Sequence, residues 1–340
     1  MAMISAANFH PRPTTASFFP EPQKHRSNRL VVPLRSAAQQ QVPTNAEVQR
    51  LVNFLSEDLP HLFDGRGIDT TAYDDGVKFR DPITKHDGIS GYLFNIAMVG
   101  KLFNPDFQLH SVKQTGPYEI STRWTVVMKV VLLPWKPELV LTGTSAMAIN
   151  PQNMKFCTHV DSWDSIKNND YFSIEGFMDM VKQLRVYKTP DVEIPRYGIL
   201  KRTANYEVRK YDPFIVVGTF GDKLSGSTDF SSVVGYAFFT RSFAPISVDD
   251  LILSSLQALN EAEVSLRKAD GGIAAVLKFS GKPDEEIFQA KEKALRRNLA
   301  RDGLRGKEGC LLARYNDPRR TWSFVMRNEV LIWLEEFLLN

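Results

Sequence analysis

The stretch Tyr206-Glu-Val-Arg-Lys-Tyr-Asp-Pro-Phe214 decides the reading of the second half of this chain. Residues 199–211 and 214–220 read as two strands, joined at Asp212-Pro213, a turn dipeptide. Related wording recurs near the C-terminus in Ala313-Arg-Tyr-Asn-Asp-Pro318 and Arg327-Asn-Glu-Val330, and a final strand is expected over 323–334 to close the sheet. Between these come an expected helix over 230–239, a strand over 272–279 and a second helix. That second helix is the best marked of all: Pro283 is expected at its first position, Asp284, Glu285 and Glu286 in its first turn, Arg296, Arg297 and Arg301 near its end, and Gly303 just beyond. Acids at the start and bases at the finish oppose the helix dipole. Ile287, Ala290, Ala294, Leu295 and Leu299 are its expected buried face.

These segments, with Gly221-Asp-Lys-Leu224, Phe279-Ser-Gly-Lys-Pro283 and Leu312-Ala-Arg-Tyr315, resemble the SOUL haem-binding family over roughly 197–338. The resemblance implies a distorted antiparallel β-barrel flanked by helices, holding haem or another tetrapyrrole as ligand in an apolar pocket, with no catalytic cofactor. In the family the pocket is formed by the first helix and the loop before the last strand. Carried over, this points to Phe230, Val233, Val234 and Tyr236, with Arg319 or Arg320 as propionate partners, since a planar guanidinium can grip a carboxylate with two donors. The competing reading makes these rings core and the arginines a solvated turn. Tyr315, Asn316, Asp317 and the run Arg327-Asn-Glu329 read as strand-end packing and hydrogen bonding. After Gly235-Tyr-Ala-Phe238 the chain departs from the family: the equivalent of one or two strands is missing near 239–250, where Thr240-Arg-Ser-Phe-Ala-Pro-Ile-Ser-Val248 stands instead.

The six histidines are His10, His25, His61, His86, His110 and His159, so none lies in the SOUL-like part. Met326 and Cys310 are the remaining iron ligands there besides tyrosines. A porphyrin held in this half would be held by apolar contact and propionate pairing, which suits a carrier or buffer better than a redox protein.

The first half opens with a helix: Thr44 and Glu47 have capping-box spacing, and Val48, Leu51, Val52, Leu55 and Leu59 form one stripe. The chain then turns polar around 73–82, a second helix is expected over 89–102, and strands over 118–133, 139–150 and 154–163 follow. In the first strand Ile120, Thr122, Trp124, Val126, Met128 and Val130 alternate with a more polar set. Helices followed by a long antiparallel sheet give the class α+β. With Tyr73-Asp-Asp-Gly-Val-Lys-Phe-Arg-Asp-Pro82 and His159-Val-Asp-Ser-Trp163, this order resembles the cone-shaped SnoaL and nuclear-transport-factor-2 superfamily, in an uncharacterised plant and cyanobacterial branch. Some cone folds use an Asp or His in a deep pocket for proton transfer. Asp74, Asp75, Asp81, His86, His110, His159 and Asp161 are the groups available, although Asp74-Asp75-Gly76 reads as a hairpin turn and Asp81-Pro82 as a strand-end turn.

The organisation expected is a transit peptide over 1–38, a cone domain over 45–172, a linker over 173–195 marked by Lys188-Thr-Pro-Asp-Val-Glu-Ile-Pro195, and a SOUL-like domain over 196–340. Residues 1–38 carry Arg12, Lys24, Arg26, Arg29 and Arg35 against the single acid Glu21, with five prolines and no continuous apolar region, the make-up of an organelle transit peptide. Cleavage is expected near Arg35-Ser-Ala-Ala38, and the destination expected is the chloroplast. Five bases against one acid place +4 of the formal +3 there, which leaves −1 for the remainder and removes the electrostatic basis for nucleic-acid binding. No apolar run reaches about 18 residues, so no transmembrane segment is expected. Cys157 and Cys310 lack metal-finger or redox spacing, and phosphate-loop, G-x-S-x-G and H-E-x-x-H patterns are absent. The expected role is tetrapyrrole transport, buffering or delivery to a haem-handling plastid enzyme. The alternatives are a cone-domain isomerase or hydrolase acting on a small apolar molecule, and a protein-interaction module with a disabled pocket.

Overall fold

The computed structural model describes residues 45–187, 194–219, 237–238, 264–316 and 320–339. The expected transit peptide, most of the 230–239 helix and the departure at 239–250 lie outside the described residues. The class is α+β.

The first half wraps a six-stranded sheet around two helices. Helices α1 (Asn45–Asp58) and α2 (Ile89–Phe103) lie where the apolar periodicity places them. The strands are β1 (Tyr73–Arg80), β2 (Lys85–Asp87), β3 (Pro105–Gly116), β4 (Glu119–Lys129), β5 (Glu138–Asn150) and β6 (Lys155–Trp163), in the order β2-β1-β6-β5-β4-β3. All pairs are antiparallel except β1 with β6. The interior is filled by Val48, Leu51 and Leu55 of α1, by Tyr92 of α2, and by Tyr73, Phe79, Ile120, Met147 and Phe156 of the sheet.

Strands β1 to β3 and a third helix were not legible in the sequence. Asp74-Asp75-Gly76 is no hairpin turn: it lies within β1, where the register against β6 shifts between Tyr73 and Lys78. The Asp74 carboxylate pins that irregularity by accepting the Gly76 amide and the side-chain amides of Asn150 and Asn153. Turn-forming residues therefore serve a bulge. Strand β3 hides its period behind register shifts at 109–111 and 114–116. The segment assigned to the linker contains α3 (Ile174–Gln183), started by the Ser173 hydroxyl, which accepts the Gly176 amide at 3.1 Å.

In the second half the expected strand 199–211 is a hairpin of two, β7 (Tyr197–Arg202) and β8 (Glu207–Tyr211), because Thr203 and Tyr206 close a turn between them. After β9 (Phe214–Thr219), Ala237–Phe238 is a short strand β10 paired with Val216 and Val217, so the expected 230–239 helix does not extend through its last residues. Then come β11 (Val264–Ala269), β12 (Gly272–Phe279), α4 (Glu285–Arg301), β13 (Leu311–Arg314) and β14 (Asn328–Trp333). Helix α4 takes Asp284 as its cap, accepting the Ile287 amide at 2.8 Å, so Pro283 stands just before the cap and not at the first position. Only its C-terminal part is sunk: Leu295 and Leu299 are buried, whereas Ile287 and Ala290 are exposed.

The strands form sheets of order β13-β14-β12-β8-β7 and β10-β9-β11. Tyr211 pairs with Gly272 and Phe214 with Ala269 in unbroken antiparallel register, so β8–β9 and β11–β12 are one long ladder bent at Asp212-Pro213 and Asp270-Gly271. Gly271 sits at φ +76°, and a Cβ there would lie 2.5 Å from the Tyr211 carbonyl oxygen. The bend requires glycine at that point.

Among the described residues the sheets do not close into a barrel. Strand β14 lies inside its sheet, between β13 and β12, instead of closing it. The free edge at β7 is satisfied by the first half. Thr125 donates to the Ile199 carbonyl at 2.8 Å, and the Arg202 amide donates to the Thr142 hydroxyl at 2.8 Å. Backbone groups that would otherwise need another strand thus find side chains. This explains why Arg123, Thr125 and Thr142, on the polar face of the cone sheet, are buried. Arg202 completes the junction with a two-point ion pair to Asp179 of α3, at 2.7 and 3.0 Å.

Candidate functional site

The family-like stretch of β8 builds a buried ionic ladder. In the five-stranded sheet, one face carries Tyr206, Val208, Ala275, Leu277, Phe279, Val330 and Ile332 against Leu295 and Leu299 of α4. Period-two alternation sends Glu207, Arg209 and Tyr211 to the other face. Arg209, fully buried, reaches Glu329 of β14 with both terminal nitrogens at 2.9 and 3.0 Å, Glu207 with Nε at 2.8 Å, and the Tyr211 hydroxyl at 3.1 Å. Glu329 is equally buried and accepts also from Arg327 and from the Tyr315 hydroxyl at 2.6 Å. Lys278 pairs with Glu207 at 3.1 Å. Arg209 stacks on the Tyr197 ring at 4.2 Å and Arg327 on Tyr315 at 4.7 Å. Burial pushes the Glu329 carboxyl up, but the Arg209 and Arg327 charges outweigh it and hold it far below the usual carboxylate range. The repeated wording of 206–211, 313–315 and 327–330 therefore encodes one structural network across three strands. Arg327-Asn-Glu329 serves packing and hydrogen bonding, as read from the sequence, with Asn328 donating to the Gly281 carbonyl at 2.8 Å.

Of the expected pocket residues, Phe230, Val233, Val234, Tyr236 and Arg319 lie outside the described residues. Arg320 is exposed in a turn beside Trp322 and Phe324, themselves 76% and 68% exposed. Among the described residues, Cys310, Tyr211 and Tyr315 are poorly disposed as iron ligands. Burial pushes the Cys310 thiol up to about 12, which keeps it protonated. Tyr211 and Tyr315 have their phenols raised by burial and tied into the ladder. No group of three or more His, Cys, Asp or Glu side chains among the described residues is placed to hold a metal ion.

A cleft of about 800 Å³ lies where the halves meet, with Trp135, Lys136, Arg185, Thr203, Tyr206 and Lys278 among its lining. Its walls are largely charged and polar, which does not match an apolar tetrapyrrole pocket. The sequence offered no signal for it, because it depends on α3 and on the β7–β8 turn.

In the cone, the candidate acid–base groups divide. Asp81 is a turn anchor: its carboxylate accepts the Ile83 amide and both the amide and hydroxyl of Thr84. Burial, then the nearby Asp161 charge, raises its pKa against those bonds. Asp75 is exposed, Asp74 holds the β1 bulge, and His86 packs by Phe79 and Phe94. His110 bonds Thr125 at the junction at 2.8 Å. His159 and Asp161 do come together, at 2.8 Å, in a chain that a single set of protons satisfies. Tyr92 donates to His159 Nδ1 at 2.8 Å, His159 Nε2 and Ser145 donate to Asp161, and Trp124 donates to Ser145 at 2.9 Å. Both imidazole nitrogens are thus spent on protein partners, and the ring packs edge-on against Phe79 at 5.1 Å. Such a histidine orients a core and has no free nitrogen to take a substrate proton.

Comparison with known proteins finds a separate match in each half of the chain. Residues 251–333 match the family model described as "SOUL heme-binding protein". Residues 49–159 match the one described as "Uncharacterized conserved protein (DUF2358)". Similar solved structures include an NTF2-like protein of unknown function from Exiguobacterium sp. 255-15, 15% identical, covering 35% of this chain and 99% of that one with a TM-score of 0.27. A putative SnoaL-like polyketide cyclase from Shewanella putrefaciens CN-32 is 16% identical and covers 42% of this chain and 98% of that one, with a TM-score of 0.30. No functionally curated protein matches the chain. No helix among the described residues is long and apolar enough to cross a membrane.

Proposed function

We propose that this protein binds haem or a related tetrapyrrole through its second half and serves transport, buffering or delivery in the chloroplast. The observation that carries the proposal is the SOUL match over 251–333, which spans β11 to β14 and the whole of α4. The mode of binding follows from the donor set. No histidine follows residue 159, and among the described residues the Cys310 thiol is held protonated, Met326 is buried and the Tyr211 and Tyr315 phenols are engaged in the ladder, so the ligand is held by apolar contact and arginine–propionate pairing, without a strong axial bond. A haem-handling enzyme is the natural recipient of such a cargo, since a weakly held ligand can be passed on.

The test is an absorbance titration of the chain from about residue 38 with haemin. A saturable Soret shift at one equivalent supports the proposal; no shift at micromolar protein would defeat it. Loss of arginine at 319 and 320 together (Arg319→Ala, Arg320→Ala) is expected to weaken binding by about tenfold, the scale of one charge-assisted pair.

A further inference from the structure

Helix α3 is mounted with its apolar side outward. Ile174, Phe177, Met178 and Val181 recur at i, i+3, i+4 and i+7 and are 74, 58, 46 and 42% exposed. Asp179 and Gly176 face inward instead. Asp179 is locked by Arg202 and by the Ser165 hydroxyl at 2.9 Å. Gly176 lies so close to Pro82 and Ile166 that an added Cβ would meet their side chains at 3.3 and 3.4 Å. Rotating α3 to bury its stripe would break a buried ion pair and drive larger side chains against Pro82 and Ile166, so the exposure is imposed by the fold. Phe172, 76% exposed, and Trp135, whose indole donates to the Leu184 carbonyl at 3.0 Å, extend the patch past both ends of the helix.

We propose that this face pairs two copies of the chain about a two-fold axis, with α3 antiparallel to its counterpart. A narrow stripe at this spacing is the seam of a helix pair, not the broad face of a helix lying on a core. Charge fixes the direction. Glu175 lies in the first turn and Lys182 in the last, so antiparallel pairing sets each Glu175 beside the other copy's Lys182, whereas parallel pairing would oppose like charges. The Glu175 carboxylate is held at that end by the amides of Lys167 and Asn168. An interface about a two-fold axis must be self-complementary, and this arrangement is. The size is suitable: the exposed 44 to 76% of three aromatic rings that present about 150–250 Å² each when whole, with the exposed parts of Ile174, Met178 and Val181, comes to most of one partner's share of a standard interface, about 800 Å².

Sedimentation velocity of the full chain, from low to high micromolar, tests the proposal. The expected result is a concentration-dependent dimer that Phe177→Asp abolishes while circular dichroism and melting temperature stay unchanged. Lys182→Glu is expected to weaken the dimer several-fold, and adding Glu175→Lys to restore it. A monomer throughout, or a dimer indifferent to Phe177→Asp, would overturn the proposal. A dimer indifferent to Lys182→Glu would overturn the antiparallel pairing. A monomer that floats with anionic vesicles and loses this with Phe177→Asp would assign the face to lipid instead.

Discussion

Arg209 and Glu329 show how much of the second half rests on single side chains. Both are fully buried, and they pair with each other at the centre of the ladder. Removing Glu329 leaves Arg209 with Glu207 alone and takes from Arg327 its carboxylate, at about 3–5 kcal/mol for breaking a buried pair. Glu329→Leu is accordingly expected to lower the urea-unfolding free energy of the protein by that amount, a large share of a typical domain's total. An effect below about 1 kcal/mol would mean that water reaches the ladder. His110 gives a pH handle on the junction. Burial, followed by the Arg123 charge, lowers its pKa, so the unfolded chain binds a proton more readily than the folded one. Stability is therefore complete above the ordinary histidine value near 6.5 and is lost as pH falls below it toward the depressed folded value. Melting temperatures between pH 7.5 and 5.5 are expected to fall less steeply in His110→Gln than in the parent, the range being chosen about that value. Equal slopes would remove His110 from the pH response.

At the scale of elements, the sequence displayed what local physics writes plainly. Helix α4 announced itself through its acidic start and basic end, and β4 to β6 through alternation and β-branched content. The elements it hid are those whose residues answer to something distant. Strand β1 carries Asp-Asp-Gly because β6 and Asn150 tolerate a bulge there. Helix α3 carries its apolar residues on the side away from the core, so its stripe does not report a buried face and its Asp179 looks like linker polarity until Arg202 arrives from the other half. The polar residues of β4 and β5 read as solvent-facing, but Thr125 and Thr142 are the sockets for β7. The candidate pocket was legible only through family wording, and five of its six residues lie outside the described ones. The bend in the long ladder offers an element-scale test. Gly271→Ala forces a Cβ against the Tyr211 carbonyl at a positive φ and is expected to cost about 1–3 kcal/mol, the range of local backbone strain. Gly198→Ala, where a Cβ meets nothing within 4 Å, serves as the control.

On the scale of the whole molecule, the described residues of both halves belong to one compact unit. The Thr125, Thr142 and Arg202 contacts make the edge of one sheet depend on the face of the other, so both halves are expected to unfold in a single calorimetric transition. Arg202→Ala is expected to split it, by leaving Asp179 buried and unpaired at the junction. One transition in both proteins would show that the junction does not transmit stability.

The role assigned to this molecule is to hold a tetrapyrrole without gripping its iron. Parallel titrations with haemin and with metal-free protoporphyrin address this most directly. The two affinities are expected to agree within about tenfold, or 1.4 kcal/mol, with no spectral signature of a strong axial ligand on bound haemin. Haemin bound more than about a hundredfold tighter, or neither pigment bound at all, would contradict it.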